Sequence, residues 1–206
     1  ADADHPIAIT DSDISGYKKN NSKSFQGTFN LEYDVPYIDG LKAKASYSYD
    51  YLMWESKEFA KEYTLYTYDA ETNVYSGSKA QSPSDIRRSF RENESSLLQL
   101  QLNYVRTFNE KHNLTGMVGF NQEHSKYTKL TAYAYDLIND EVPSFNTATG
   151  ETKTITDQYR EYTVRGAFYR LNYDYEGRYL FEANGRYDGS SKFPKKSRFG
   201  FFPSFS

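Results

Sequence analysis

Long antiparallel β-strands of a membrane-spanning barrel are the fold class this sequence predicts, on three observations. Polar and apolar residues alternate strictly over unusually long stretches. The connections between these stretches alternate between short and long. Tyrosine is in excess, with 21 Tyr and 14 Phe but a single Trp in 206 residues. Aromatics reach 17% of a chain whose hydrophobic fraction is only 37%, whereas a soluble core is filled mainly by aliphatic side chains. A ring that is apolar on its body and polar at its tip suits a membrane interface, and equally a sugar-binding face.

The first stretch runs from Ser24 to Val35. Its odd positions read Phe25, Gly27, Phe29, Leu31, Tyr33 and Val35, and its even positions Ser24, Gln26, Thr28, Asn30, Glu32 and Asp34. That is longer than the usual globular strand of about five or six residues and matches the roughly 9–11 residues of a tilted transmembrane strand. A turn at Pro36–Gly40 leads to a return strand, in which Leu41, Ala43, Ala45, Tyr47, Tyr49 and Tyr51 oppose Lys42, Lys44, Ser46, Ser48 and Asp50. The polar stretch from Glu55 to Asn93 keeps no period and is expected to be a long loop.

A second hairpin is predicted from about Ser95. Leu98, Leu100, Leu102 and Tyr104 alternate with Gln99, Gln101 and Asn103, the chain turns at Asn109–Asn113, and it returns through Leu114, Gly116, Val118 and Phe120. Another long loop is expected over Thr128–Asp157, with Pro143, Asn146 and Gly150 as breakers. In the third hairpin Ala167, Tyr169, Leu171, Tyr173 and Tyr175 oppose Gly166, Phe168, Arg170, Asn172 and Asp174. After a turn at Glu176–Gly177, Tyr179, Phe181, Ala183, Gly185 and Tyr187 oppose Leu180, Glu182, Asn184, Arg186 and Asp188. The connection Gly189–Arg198 leads into a seventh strand. Aromatics gather near the short turns and again toward the loops, as in the double girdle of a barrel. A soluble β-sandwich also alternates, but it seldom needs strands this long or connections this lopsided.

The net charge of −3 advertises no nucleic-acid partner. The absence of cysteine removes disulfides, thiolate metal sites and cysteine nucleophiles together. Mean hydropathy is −0.85, and no apolar run approaches the roughly 18 residues of a spanning helix. No secretory signal opens the chain. His5, His112 and His124 lack metal-ligand spacing, and no phosphate loop or nucleophile elbow occurs. No catalytic residue, metal or cofactor is therefore expected. The run Lys192, Lys195, Lys196, Arg198 reads as a solvated basic loop.

The segment Arg170-Leu171-Asn172-Tyr173-Asp174-Tyr175, then Gly177-Arg178-Tyr179-Leu180, then Arg186-Tyr187-Asp188-Gly189-Ser190-Ser191-Lys192-Phe193-Pro194 resembles a stretch of SusC/RagA-type TonB-dependent transporters. The ending Arg198-Phe199-Gly200-Phe201-Phe202-Pro203-Ser204-Phe205-Ser206 continues the likeness. Asn30–Gly40 and Leu100–Leu114 resemble the family more loosely, and both long loops hardly at all.

The resemblance implies residence in the bacterial outer membrane and a plugged barrel of about 22 strands, of which residues 1–206 would be a part. It also implies import of oligosaccharides or peptides, a SusD-like lipoprotein lid, and coupling to the TonB complex through segments absent from this chain. About seven strands do not close such a barrel, and alone they would expose two unpaired edges and a lipid face.

Within that frame Arg170, Asn172, Asp174, Glu182, Asn184, Arg186 and Asp188 are expected to face the lumen, as a ladder holding the wall and plug or as part of the solute path. Trp54, Tyr63, Tyr66, Tyr68 and Tyr75, at or in the first long loop, are candidate substrate-stacking aromatics, with loop or lid packing as the alternative. Two rival readings stay open here: a secreted glycan-binding β-sandwich and an outer-membrane barrel enzyme.

Overall fold

The computed structural model describes residues 5–151 and 153–206. Two short helices, α1 (Pro6–Thr10) and α2 (Ser12–Ser15), precede nine strands: β1 (Gly16–Asp34), β2 (Leu41–Ala60), β3 (Tyr63–Asp69), β4 (Val74–Ala80), β5 (Asp85–Phe108), β6 (His112–Tyr135), β7 (Thr154–Tyr175), β8 (Tyr179–Ser190) and β9 (Phe199–Phe205). Seven of them form one sheet in the order β1-β2-β5-β6-β7-β8-β9, and β3 pairs only with β4. Neighbours in the sheet are neighbours in sequence except where the β3–β4 hairpin is inserted, so the topology is a meander. Among the described residues no helix is long and apolar enough to cross a membrane, which has no bearing on crossing by strands.

Contacts divide the chain into two compact units. One contains residues up to Lys23, Met53–Glu92 and Thr128–Tyr159; the other contains Ser24–Leu52, Asn93–Tyr127 and Arg160–Ser206. The second holds the alternating stretches and all three short turns. Backbone bonds from Val105 N to Gly40 O (2.9 Å) and from Glu176 N to Lys111 O (2.8 Å) tie those turns together along one end of this unit. Left-handed backbone at Gly40, Asn109, Glu110, Glu176 and Gly177 reverses the chain there.

The first unit corrects the expectation of two long loops. Within Glu55–Asn93, β2 continues to Ala60, β5 begins at Asp85, and the residues between carry their own hairpin. Within Thr128–Asp157, β6 continues to Tyr135 and β7 begins at Thr154, leaving a shorter connection with one 3-10 turn, Phe145–Thr147. Periodicity failed because a strand shows it only where one face meets an apolar medium. His112, expected in a turn, opens β6.

That first unit has a true hydrophobic core. Phe59, Ile86 and Ala134, from β2, β5 and β6, pack with Leu137 and Ala148 of the connection that folds back over them, flanked by Tyr17 and Phe145. Ile86 is only 1% exposed. The connection is pinned by Asp136 N to Ser84 O at 2.7 Å, by Leu137 N to Ser84 Oγ at 3.1 Å and by Lys57 Nζ to Pro143 O at 3.1 Å. A second small cluster joins Ala8 of α1 to Tyr63 and Ala80 of the hairpin.

Candidate functional site

Strand register turns the alternating sequence of the second unit into two opposed surfaces. In the β7–β8 pair Tyr169 lies opposite Gly185, Leu171 opposite Ala183 and Tyr173 opposite Phe181, while Arg170 lies opposite Asn184 and Asn172 opposite Glu182. Because successive side chains point to opposite faces, these sets cannot mix. The β8–β9 pair extends the apolar face by setting Tyr187 against Phe201 and Ala183 against Phe205. Leu31, Tyr33, Ala43, Ala45, Leu100 and Leu102 line one shallow apolar hollow of the same unit. Of the described apolar side chains in this unit only Ala183 is buried; Phe25, Phe29, Leu100, Leu102 and Phe205 stand open.

The apolar positions run from Phe25 to Tyr33 on β1, with Val35 just beyond its end, and from Leu98 to Phe108 on β5, where Arg106 takes one place and lies over the Phe108 ring. At roughly 3.4 Å per residue the β5 run is about 34 Å long, which at the tilt of a barrel strand, about 45°, would make a band about 25 Å tall. A hydrocarbon layer has that height. Glycines keep the band smooth where rings lie flat on it. A Cβ on Gly185 would stand 2.3 Å from the Tyr169 ring, and one on Gly189 would stand 2.3 Å from Phe199.

The opposite face is a hydrogen-bonded ladder. Lys42 bridges Glu32 at 3.0 Å and Asp34 at 3.4 Å, and Lys44 reaches Glu32 at 3.1 Å. Thr107 donates to Asn113 at 2.7 Å, and Asn113 to Asp174 at 3.4 Å. Arg170 donates to Asn184 at 2.9 Å, and Asn184 in turn to Glu182. Arg186 holds both oxygens of Asp188 at 2.9 Å and reaches Asn121 at 3.4 Å. Asp174 also accepts the Gly177 N–H at 2.7 Å, closing the third turn. Arg170, Asp174, Glu182, Asn184, Arg186 and Asp188 thus bond within this face, and Asn172, which also has a partner, lines a hollow there with Asn113, Thr115 and Glu182. Each such exposed pair is worth about 0–1 kcal/mol, so the ladder acts by pairing neighbouring polar groups more than by adding stability.

Rings and cations extend this surface in ways the alternation did not reveal. Tyr162 donates to Glu123 at 3.2 Å. Arg160 lies over Tyr127, Arg186 over Phe168, and Lys192 over Tyr162 at 3.6 Å. Phe168, the bulky exception in β7, is accommodated because Gly119 leaves room for its ring. A cation two residues or a strand away from an aromatic on the polar side was the available signal.

The five candidate stacking aromatics separate. Trp54 belongs to β2 and lies under the Arg91 guanidinium at 5.2 Å, so its assignment to the loop region is corrected to a strand position. Tyr63 packs inward on α1 and is 9% exposed. Tyr66, Tyr68 and Tyr75 share the other face of the β3–β4 hairpin, with Tyr68 directly opposite Tyr75 and Tyr66 opposite Gly77. The Tyr68 and Tyr75 rings are 5.0 Å apart, and the Tyr66 ring lies over Gly77. Tyr66 and Tyr75 are 70% and 68% exposed. Together they form an exposed amphipathic patch on one face of the hairpin, the Tyr68 and Tyr75 rings tilted by 43°.

Polar contacts around the hairpin set its shape. Asp69 accepts the Glu71 N–H at 2.9 Å and the Thr72 hydroxyl at 2.8 Å, which holds its carboxyl below the ordinary range, the hydroxyl contributing most. Tyr68 donates to Asn73 at 2.8 Å across the turn. At the base, Glu62 is held below its ordinary pKa by Lys79 first and Ser82 second, while Lys79 is raised by Glu62. His112, on β6, shares a 2.7 Å hydrogen bond with Tyr173 and packs against Tyr175. No cluster suited to a metal ion occurs among the described residues.

Comparison with known proteins gives one consistent result. Residues 3–206 match the family model "TonB dependent receptor-like, beta-barrel". Two curated relatives from Formosa agariphila are each 26% identical: TonB-dependent receptor P39, over 90% of this chain and 17% of its own length, and TonB-dependent receptor P3, over 98% of this chain and 19% of its own. The chain therefore spans about a fifth of the length of these relatives. Among solved structures, the RagAB peptide transporter superposes with a TM-score of 0.73 at 20% identity, covering 91% of this chain and 20% of that one. The RagAB peptide importer in its "open-open" state superposes equally broadly, with a TM-score of 0.72.

Proposed function

This chain belongs to the TonB-dependent receptor-like β-barrel family, and from that premise we propose that it supplies part of the wall of an outer-membrane importer of oligosaccharides or peptides. The observation that carries the reading is the pair of opposed faces in the second unit. One is an open apolar band of hydrocarbon height, and the other is a hydrogen-bonded polar ladder. A sandwich would bury the first beneath a second sheet; here it stands open and needs lipid.

In this reading the face of Tyr169, Leu171, Tyr173, Phe181 and Ala183 meets lipid. The face of Arg170, Asn172, Asp174, Glu182, Asn184, Arg186 and Asp188 meets the lumen, where it seats a plug and borders the solute path. The short turns are periplasmic, and the β3–β4 hairpin is extracellular. Its tyrosines offer large contact area at low entropic cost to a sugar ring or an extended peptide. The fold likeness to the RagAB peptide transporter supports peptide as one substrate class. A SusD-like lipoprotein would close the extracellular side, and the TonB complex would supply energy through segments outside these residues.

The test is made on the intact protein in outer-membrane fractions. Boiling should shift its gel mobility, as for a folded barrel, and Tyr66→Ala with Tyr75→Ala should weaken uptake of its substrate roughly three- to tenfold. Recovery of the protein in the soluble fraction would refute the barrel reading. Unchanged uptake of both oligosaccharide and peptide would refute the role of this patch.

A further inference from the structure

The apolar band ends at one further feature that neither wall nor ladder explains. Thr163, Arg165, Gly189, Ser191, Arg198 and Phe199 line a cavity of about 340 Å³ within the second unit. It lies at the end of the β7–β8 pair away from the Tyr175–Tyr179 turn, where Val164 pairs with Ser190. Below it, on the same face of the sheet, the Phe199 ring stacks on Tyr187 at 5.2 Å and fits only because residue 189 is glycine. The upper wall is polar. Ser191 N–H donates to Thr163 O at 2.9 Å, and Thr163 N–H donates to Ser191 Oγ at 2.9 Å, so backbone and hydroxyl geometry is fixed there.

Charge at this cavity is one-sided. Neither the Arg165 nor the Arg198 guanidinium has a carboxylate within ion-pair distance among the described residues; Arg198 is oriented by its Nε–H donating to Phe193 O at 3.4 Å. The nearby acid, Glu161, faces His124 at 3.5 Å, and His124 also contacts the Thr163 hydroxyl at 3.2 Å. From Gly189 to Ser206 the chain holds Lys192, Lys195, Lys196 and Arg198 and no carboxylate side chain. Two forked cations above an aromatic shelf, at the rim of a lipid-facing band, match an amphiphile whose anionic head sits above its chains.

We propose that this cavity binds the phosphate of an outer-leaflet lipid headgroup, with Arg165 and Arg198 on the phosphate and the Tyr187–Phe199 stack against the first carbons of the acyl chains. The inference rests on the outer-membrane reading above. It converts the basic connection from a solvated loop into an anchor that fixes the height of β8 and β9 in the bilayer.

Native mass spectrometry of the intact, detergent-purified protein tests it, using lipid A with both phosphates, the same lipid dephosphorylated, and sodium phosphate as competitor. Each basic side chain at a charged lipid surface contributes roughly fivefold in affinity, so Arg165→Gln with Arg198→Gln should weaken retention of the phosphorylated lipid about thirtyfold. Lys195→Gln with Lys196→Gln, outside the cavity, should change it by less than about fivefold. Equal retention of both lipids, displacement by millimolar phosphate, or an equal loss in the lysine pair would overturn the site. Arg165→Gln alone keeps the test readable if the double variant does not fold: a loss of roughly fivefold supports the proposal and no loss refutes it. Gel mobility before lipid addition separates failure of the site from failure of the barrel.

Discussion

The two units of this chain are built from the same strands and solve opposite problems. In the first, Phe59, Ile86 and Ala134 bury one another beneath a folded-back connection, as in a soluble domain. In the second, an equally regular set of Phe, Leu and Tyr is left open, and Ala183 is its only buried apolar residue among those described. One strand, β5, contributes Ile86 to a core and Leu100 and Leu102 to an open band. Residue type does not distinguish them. What differs is the medium each segment is made for: water requires that a few apolar side chains be covered, whereas lipid covers them itself.

The sharpest way to break this contrast is a charge in the band. Ala183→Arg should cost about 2–4 kcal/mol and impair insertion, seen as loss of the heat-modifiable species, while Asn184→Arg on the opposite face should insert nearly normally. If both variants inserted equally well, the band would not face lipid. Ile86→Ala probes the other unit. It should cost about 2 kcal/mol, the lower end for a small cluster, and open Asp136–Gly150 to proteolysis without affecting insertion. Equal protease resistance would mean that the core does not hold the connection.

Smaller effects sharpen the comparison. Gly185→Ala must displace the Tyr169 ring and should cost about 1 kcal/mol in unfolding from detergent, although alanine ordinarily suits a strand better than glycine. Gain of stability would show that the ring moves freely. A pH response is expected in the first unit. With the Glu62 carboxyl depressed by Lys79 and Ser82, its contribution is present above the ordinary glutamate range and lost as pH falls through the depressed value. Hydrogen exchange in β3–β4 should therefore stay constant from neutrality down to that range and quicken below it, and Glu62→Gln should reduce the dependence to what Asp69 contributes. Identical titration in the variant would assign the effect elsewhere.

The alternation of Ser24–Val35, Leu98–Tyr104 and Ala167–Tyr187 determined, without coordinates, the strands of the second unit, its three turns and the separation of its two faces. A period of two is a local signal, written wherever a strand parts two media. The same logic made the first unit illegible. There β2, β5, β6 and β7 continue with polar residues on both sides, so strand and loop look alike in sequence although the hydrogen-bonded ladder continues. The candidate stacking residues divided for a related reason. Tyr63 and Tyr66 are equivalent by type, and only the packing of α1 on one hairpin face buries the first and leaves the second open. Arg165 and Arg198 lie more than thirty residues apart on elements whose register no local pattern encodes. Strand pairing alone brought them to one cavity, because contacts between distant segments depend on which edges find each other.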